Sequence, residues 1–339
     1  MSGTNKQITL ARRPQGAIRA TDFGCRTAIM KPLVEGEFRL RNHYLSLDAG
    51  FRQWMNADSG DNYMPAMELD APVASIVLGE VIASEHIEYP VGSWIMARTA
   101  WEMYSTLDGS GVANIVEPLI DLPQYELLAA LGPGGLTAYF GLFDVGAPHS
   151  GDTVLVNAAA GGVGAMVGQM AKIVGCRTIG ITSSAIKCEQ LTRELGYDVA
   201  INYRATNDLA AAIAVEAPSG INVFFDNVGG AALDAGLLNL AEGARVVLCG
   251  TVAAYETDTT PGIDNLWQLI TKRASARGFM FTDYGDQYAK AMTEITGWLR
   301  RGEVKSPVTV TVGVENTGQA FADMMRGASV GKCIVSLLD

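Results

Sequence analysis

From about residue 153 onward, apolar runs alternate with stretches of helical spacing. The apolar runs are Thr153-Val156, Arg177-Ile181, Val199-Ile201, Asn222-Phe225, Arg245-Cys249 and Ser275-Met280. Between them lie Val163-Val174, Ile186-Leu195, Leu209-Ala217, Ala231-Leu240 and Ile263-Lys272. Such alternation predicts βαβ units on a doubly wound parallel sheet of six strands, with ligands at the strands' carboxyl ends. The first part of the chain reads differently. Short runs at Phe38-Leu40, Val73-Ile76, Val81-Ala83 and Trp94-Ala97 are broken by Gly, Pro and Asp, which predicts a β-rich domain. The last residues return to that style, with strands expected at Val308-Val312 and Cys333-Leu337 and a helix at Asn316-Met325. The expected organisation is an α/β domain at 126–305 inserted into a β-rich domain made of 1–125 plus 306–339.

The first αβ junction carries the sharpest chemistry. Asn157-Ala158-Ala159-Ala160-Gly161-Gly162-Val163-Gly164 follows an apolar strand and opens a small-residue helix. The spacing Ala159-x-Gly161-x-x-Gly164 is the dinucleotide fingerprint of a Rossmann domain, with alanine in the first position. A bare backbone near Gly161 admits a pyrophosphate, Gly164 lets helix and strand touch, and the free N–H groups at the helix start face the anion. An NAD site places a carboxylate about 20 residues further on, against the ribose 2′-hydroxyl. Here that position reads Thr182-Ser183-Ser184, followed by Lys187, with Tyr203 and Arg204 closing the third strand. Hydroxyls and a cation suit a 2′-phosphate, so the expected cofactor is NADPH. The plainer alternative makes Lys187 an ordinary solvated helix residue.

Composition narrows the partners. The 339 residues carry a net charge of −11, with 48% hydrophobic and 18% charged residues. An acidic surface repels nucleic acid and anionic membrane, so neither is expected as a partner. Cys25, Cys176, Cys188, Cys249 and Cys333 are scattered and never at metal-clip spacing, which suits free thiols in a reducing cytoplasm. The polar N-terminus lacks the apolar run of a signal peptide. Thr153 to Ala171 is uncharged, but its glycines, Asn157 and Gln169 fit the nucleotide turn better than a membrane span.

Several further motifs occur in order. They are Gln7-Ile8-Thr9-Leu10-Ala11-Arg12-Arg13-Pro14 with Gly16, Tyr44-Leu45-Ser46-Leu47-Asp48, Leu136-Thr137-Ala138-Tyr139-Phe140-Gly141-Leu142, Ala158 to Gly164, Phe225 to Gly230, Cys249-Gly250, and Gly278-Phe279 with Asp283-Tyr284. With them the chain resembles, over almost its whole length, the medium-chain dehydrogenase/reductase superfamily. Within it the resemblance is to the zinc-free double-bond reductases of the prostaglandin reductase and curcumin reductase type. The resemblance implies a GroES-like catalytic domain beside the Rossmann domain, and a homodimer joined along the sixth strand near Ser275-Met280. It implies that Gly161, Gly162, Val163 and Gly164 meet the pyrophosphate and that Lys187 and Tyr203 meet the 2′-phosphate. It further implies that Asn227, Cys249, Gly250, Tyr255, Phe279, Met280 and Phe281 line the nicotinamide half, and that Ser329 stands where the family has a cofactor-contacting asparagine. Tyr63 matches a second pocket tyrosine. Gly50, before Phe51, replaces a pocket tyrosine and opens space.

The chemistry follows from what is missing. The stretch matching the Gly-His-Glu of zinc relatives reads Leu78-Gly79-Glu80, and His43, His86 and His149 are not at ligand spacing, so no metal is expected. Without a Lewis acid, the expected reaction is hydride delivery to the β carbon of an α,β-unsaturated ketone or aldehyde, with charge developing on the carbonyl oxygen. Tyr255 is the candidate donor to that oxygen or to the α carbon; alternatively it only packs on the nicotinamide. Tyr63 is either a substrate contact or a lid residue, and Trp101 either walls the pocket or belongs to the core. Two rival functions remain: a zinc-free quinone reductase, and an NADPH-binding protein without turnover.

Overall fold

A computed structural model describes residues 3–58, 64–111, 113–256 and 262–338. The N-terminal elements are β1 (Thr4–Leu10), β2 (Phe23–Ile29), β3 (Phe38–Leu47), the single turn α1 (Phe51–Trp54), β4 (Ala74–Ser84), β5 (Trp94–Ala100), β6 (Tyr104–Leu107) and β7 (Ala113–Val116). The middle of the chain continues with α2 (Pro133–Phe140), β8 (Thr153–Val156), α3 (Gly162–Ile173), β9 (Arg177–Thr182), α4 (Ala185–Arg193), β10 (Val199–Asn202), α5 (Leu209–Glu216) and β11 (Ile221–Asp226). It ends with α6 (Gly230–Leu237), β12 (Leu240–Leu248), α7 (Trp267–Thr271), β13 (Ser275–Gly278), α8 (Tyr288–Arg301), β14 (Val308–Val312), α9 (Thr317–Met325) and β15 (Lys332–Ser336). No described helix is long and apolar enough to cross a membrane.

Contacts divide the chain into two compact units. One comprises Met1–Leu128, Val308–Ser329 and Cys333–Asp339; the other comprises Ala129–Pro307 and Val330–Lys332. The first unit is built on a seven-stranded sheet ordered β14-β15-β3-β4-β5-β7, with β6 also on β3, beside a β1-β2 ribbon. Its core buries Leu10, Phe38, Leu45, Leu47, Trp101 and Phe321. The two expected strands at 73–76 and 81–83 are one, β4. Gly79 allows this, because a Cβ there would lie 2.5 Å from the Arg41 carbonyl oxygen of the neighbouring strand.

The second unit holds the six-stranded sheet in the order β10-β9-β8-β11-β12-β13, all parallel. This is a doubly wound Rossmann sheet, in which the order reverses at the first strand of the series. Apolar strand residues such as Leu155, Ile179, Phe224 and Val246 meet Ile213 and Leu237 from α5 and α6. Side chains fix the helix starts: Ser184 Oγ accepts from the Lys187 N–H at 3.3 Å, and Asp208 Oδ1 from the Ala211 N–H at 2.9 Å. The helix expected over 263–272 forms only at α7. Its would-be first turn is drawn away, because the Asp264 and Asn265 N–H groups donate to the Asp234 carboxylate at 3.1 and 2.9 Å. β12 begins earlier than its apolar run, with Gly243 at φ +72° in a register break opposite β11.

Candidate functional site

The glycine turn leaves β8 with Asn157 and passes Ala158 at φ +46°, a left-handed conformation that costs a non-glycine residue energy. Gly161 caps α3, and no side chain bonds the helix start. The first N–H groups of an α-helix have no acceptor within it, and the helix dipole adds partial positive charge, so this end suits an anion. Gly161, Gly162 and Val163 are half-buried, while Gly164 is buried. A Cβ on Gly164 would lie 2.6 Å from the Ala158 carbonyl oxygen and 2.7 Å from the Ala159 Cα, so only glycine brings α3 so close to the turn. The turn is backed from the far end of the chain. The Gly331 N–H donates to the Ala160 carbonyl at 2.7 Å, and Gly161 and Gly331 form a parallel bridge.

The other sequence-derived positions cluster at the carboxyl ends of the same sheet. Thr182 ends β9, Ser184 caps α4, and Lys187 follows in the first turn of α4. Tyr203 directly follows β10, which pairs with β9 at Asn202–Thr182; it is 44% exposed, with the Arg204 guanidinium 5.7 Å from its ring centre. Cys249 and Gly250 follow β12, and their N–H groups donate to the Asp226 carbonyl at 2.8 and 3.3 Å. Burial and the neighbouring Asp226 push the Cys249 thiol up to about 12, which disfavours the thiolate. The Tyr255 phenol closes back over this strand end: a Cβ on Gly250 would be 3.6 Å from its hydroxyl oxygen. Phe279, Met280 and Phe281 follow β13. The Phe279 ring fills the space that a side chain at Gly141 would need, and the Phe281 ring stacks on Tyr288 at 6.1 Å.

The sequence does not foretell what lies beneath these positions. Asp226, 1% exposed, accepts from the Asn157 Nδ2, from the Gly229 N–H at 3.1 Å and from the Val228 N–H at 3.3 Å. Asn157 Oδ1 accepts the Asn227 N–H at 2.6 Å, and the Asn157 carbonyl accepts Asn227 Nδ2 at 2.9 Å. Burial raises the Asp226 carboxyl above its ordinary range, against the opposing pull of these donors. Partners almost 70 positions apart leave no local pattern; the one signal is that both stand where apolar strands end. Tyr139, from the Leu-Thr-Ala-Tyr-Phe-Gly-Leu motif, proves architectural, its hydroxyl donating to Glu294 at 2.7 Å.

In the first unit, Gly50 caps α1, and a Cβ there would meet nothing within 4 Å. Phe51 is only 6% exposed and packs on Trp54. Trp101 corrects the pocket-wall expectation. It is fully buried between Phe23 and Phe321, at ring distances of 5.1 and 5.4 Å, and offers no surface to a ligand. Ser329 is half-buried just before Val330–Lys332, and Tyr63 lies outside the described residues. A surface cavity of about 470 Å³ in this unit is lined by Asn5, Gln7, Arg39, Glu102 and Tyr104, none of them a residue expected to meet cofactor or substrate. No group of three or more His, Cys, Asp or Glu among the described residues could hold a metal ion.

Residues 6–115 match the family model for the N-terminal domain of oxidoreductases, and 162–297 that of the zinc-binding dehydrogenases. The chain is 34% identical to the NADPH-dependent curcumin reductase of Escherichia coli, over 98% of this chain and 96% of that protein. This chain belongs to the double-bond reductase branch of the medium-chain dehydrogenase/reductases. Another member, the NADP(+)-dependent 2-alkenal reductase of Nicotiana tabacum, is 32% identical over 98% of this chain and 97% of its own. CurA from Vibrio vulnificus, solved in complex with NADPH, superposes with a TM-score of 0.91 at 36% identity, covering 98% of this chain and 99% of that one.

Proposed function

We propose that this protein is an NADPH-dependent reductase of the C=C bond of α,β-unsaturated ketones and aldehydes, working without a metal. The observation that carries the reading is the uncapped start of α3 behind a turn that tolerates only glycine at Gly164, beside a second strand ending in hydroxyls and Lys187 instead of a carboxylate. Gly161, Gly162 and Val163 would hold the pyrophosphate by backbone N–H groups, and Lys187 and Tyr203 the 2′-phosphate. Asn227, Gly250, Phe279, Met280, Phe281 and Ser329 would border the remaining half, with Cys249 as packing. The double-bond reductase relatives named for curcumin and 2-alkenal support the same substrate class.

Bound NADPH supplies the hydride for the β carbon of the enone. The chain's own task is to stabilise the charge that then gathers on the carbonyl oxygen. Tyr255 suits this, because a phenol with an ordinary pKa of about 10 donates a hydrogen bond while staying neutral. Its place beside Gly250 puts that donor at the end of β12. Gly50, where a Cβ would meet open space, would leave room for bulky substrates, with Tyr63 as a further pocket residue. Metal-free chemistry agrees with Leu78-Gly79-Glu80, which lacks the histidine of zinc relatives.

Two further parts of the reading concern setting and assembly. All five cysteines are free thiols, which suits the reducing cytoplasm. Every residue of β13, an edge strand of the parallel sheet, is exposed, and Trp267 and Ile270 on the preceding helix are each 65% exposed. An unpaired edge flanked by apolar side chains fits a homodimer that continues the sheet. The test of the catalytic reading is the loss of reduced-nicotinamide absorbance with a panel of enones, enals and quinones, with and without a chelator. Enone turnover that survives chelation supports it. Oxidation by quinones alone, or activity restored only by zinc, refutes it.

A further inference from the structure

We propose that Asp226 and Asn157 are positioning residues that fix the Asn227 amide with its oxygen turned outward, giving the dinucleotide site a hydrogen-bond acceptor at the end of β11. The inference rests on the NADPH reading above and adds to it a buried relay. An ionised carboxylate only accepts hydrogen bonds, so Asn157 must turn its NH₂ toward Asp226 and its oxygen away. That oxygen then takes the Asn227 N–H at 2.6 Å. The Asn157 carbonyl takes one hydrogen of the Asn227 NH₂ at 2.9 Å. The orientation of the Asn227 amide follows, because the reversed one would set its oxygen against a carbonyl oxygen. Asn227 Oδ1 accepts nothing from the described residues, and it is not sealed from solvent.

Asp226 also grips the backbone of the loop through the Val228 and Gly229 N–H groups. Gly229 sits at φ +72°, so the carboxylate holds a bend that a free loop would leave. Asp226 and Asn157 are each 1% exposed and Asn227 8%, so they act through Asn227 and do not themselves meet a ligand. The chemistry offered outward is one acceptor for an N–H or O–H donor. A bound nicotinamide half would bring two kinds of such donor: the carboxamide NH₂ and the hydroxyls of the adjoining ribose.

The test is NADPH titration by fluorescence with steady-state kinetics on three full-length proteins: wild type, Asp226→Ala and Asp226→Asn. Asp226→Ala removes the acceptor of the Asn157 NH₂ and of the Val228 and Gly229 N–H groups, and is expected to weaken NADPH about tenfold. The loss should fall on KM for NADPH, with kcat at saturation little changed. Asp226→Asn keeps an oxygen at the Oδ1 position, where all three of these donors point, and should stay within about threefold of wild type. Should Asp226→Ala fail to fold, Asn157→Ala leaves Asp226 on its two backbone N–H groups and should show the same tenfold loss. With the oxidised 3-acetylpyridine analogue, which lacks the carboxamide NH₂, the Asp226→Ala penalty vanishes if the donor is the carboxamide and persists if it is the ribose. An Asp226→Ala variant that binds NADPH as wild type does, or an Asp226→Asn loss as large as that of Asp226→Ala, overturns the relay alone. Wild type that ignores NADPH overturns the relay and the functional reading together.

Discussion

Lys187 occupies the first turn of α4, where Ser184 has already bonded its N–H. A 2′-phosphate is the group its ammonium is proposed to hold. Lys187→Ala should weaken NADPH about tenfold or more while leaving NADH nearly unchanged, since a charge-assisted hydrogen bond is at stake. Equal losses for both cofactors in a binding titration would remove the lysine from that role. For Tyr255→Phe, kcat on an enone should fall about a hundredfold with NADPH affinity kept, the usual effect of losing one donor to a developing oxyanion; unchanged turnover would leave Tyr255 a packing residue. Glu102 carries a prediction of another kind. It is buried, accepting from Asn5 Nδ2 and Gln7 Nε2 at 2.9 and 2.6 Å and from Ser105 Oγ at 2.9 Å. Burial holds its carboxyl above the ordinary range despite these donors. The folded state then binds that proton more tightly than the unfolded one. Its contribution to stability is full below the ordinary glutamate pKa of about 4.3 and is lost as pH rises through the raised folded value. Glu102→Gln should remove this loss, so urea unfolding should show the variant gaining on wild type as pH rises above about 4. A difference that stays flat with pH would refute the shift. At this scale the sequence is readable where a residue answers to a local motif, as Gly164 does. It is opaque where partners come from far away, as for Trp101, whose neighbours Phe23 and Phe321 decide that it is core.

Elements were legible where local pattern and tertiary demand agree. The turn from β8 into α3 is such a case, because its glycines answer to neighbours a few residues away. Gly164→Ala would push a methyl group into the Ala158 carbonyl, and backbone cannot swing aside as a flexible side chain can. The variant should lose about 1–3 kcal/mol of stability, the usual range for overpacking, and bind NADPH more weakly, by calorimetry and titration. Unchanged melting would mean that the turn yields. Helix α7 is the opposite case. The spacing over 263–272 is helical, yet the Asp234 carboxylate on α6 captures two N–H groups that the helix would have used for its own start. A carboxylate from another helix is invisible to any window of sequence. Strand β4 likewise reads as two because Gly79 interrupts the apolar run, when the glycine in fact serves the crowding against Arg41 that keeps the strand whole.

At the scale of the whole molecule, alternation of strand and helix revealed the parallel sheet, since each βαβ unit repeats the same local signal. The first unit was harder to read, because its sheet pairs β15 with β3 and so joins the last residues to early ones. The proposed dimer belongs to this scale. Trp267→Asp together with Ile270→Asp should yield monomers by light scattering, as charge on an apolar contact opposes burial. Wild-type protein that is already monomeric would refute the assembly. One further consequence lies in the pairing of Gly161 with Gly331. Gly331 lies at φ +70°, with the space of a Cβ taken by the Pro307 carbonyl, so no other residue can stand in for it. During synthesis the turn at 158–164 is made well before Gly331 joins it. A nascent chain therefore cannot back its proposed nucleotide seat until residue 331 has emerged, and a product that stops short of Gly331 would leave the seat open on one side.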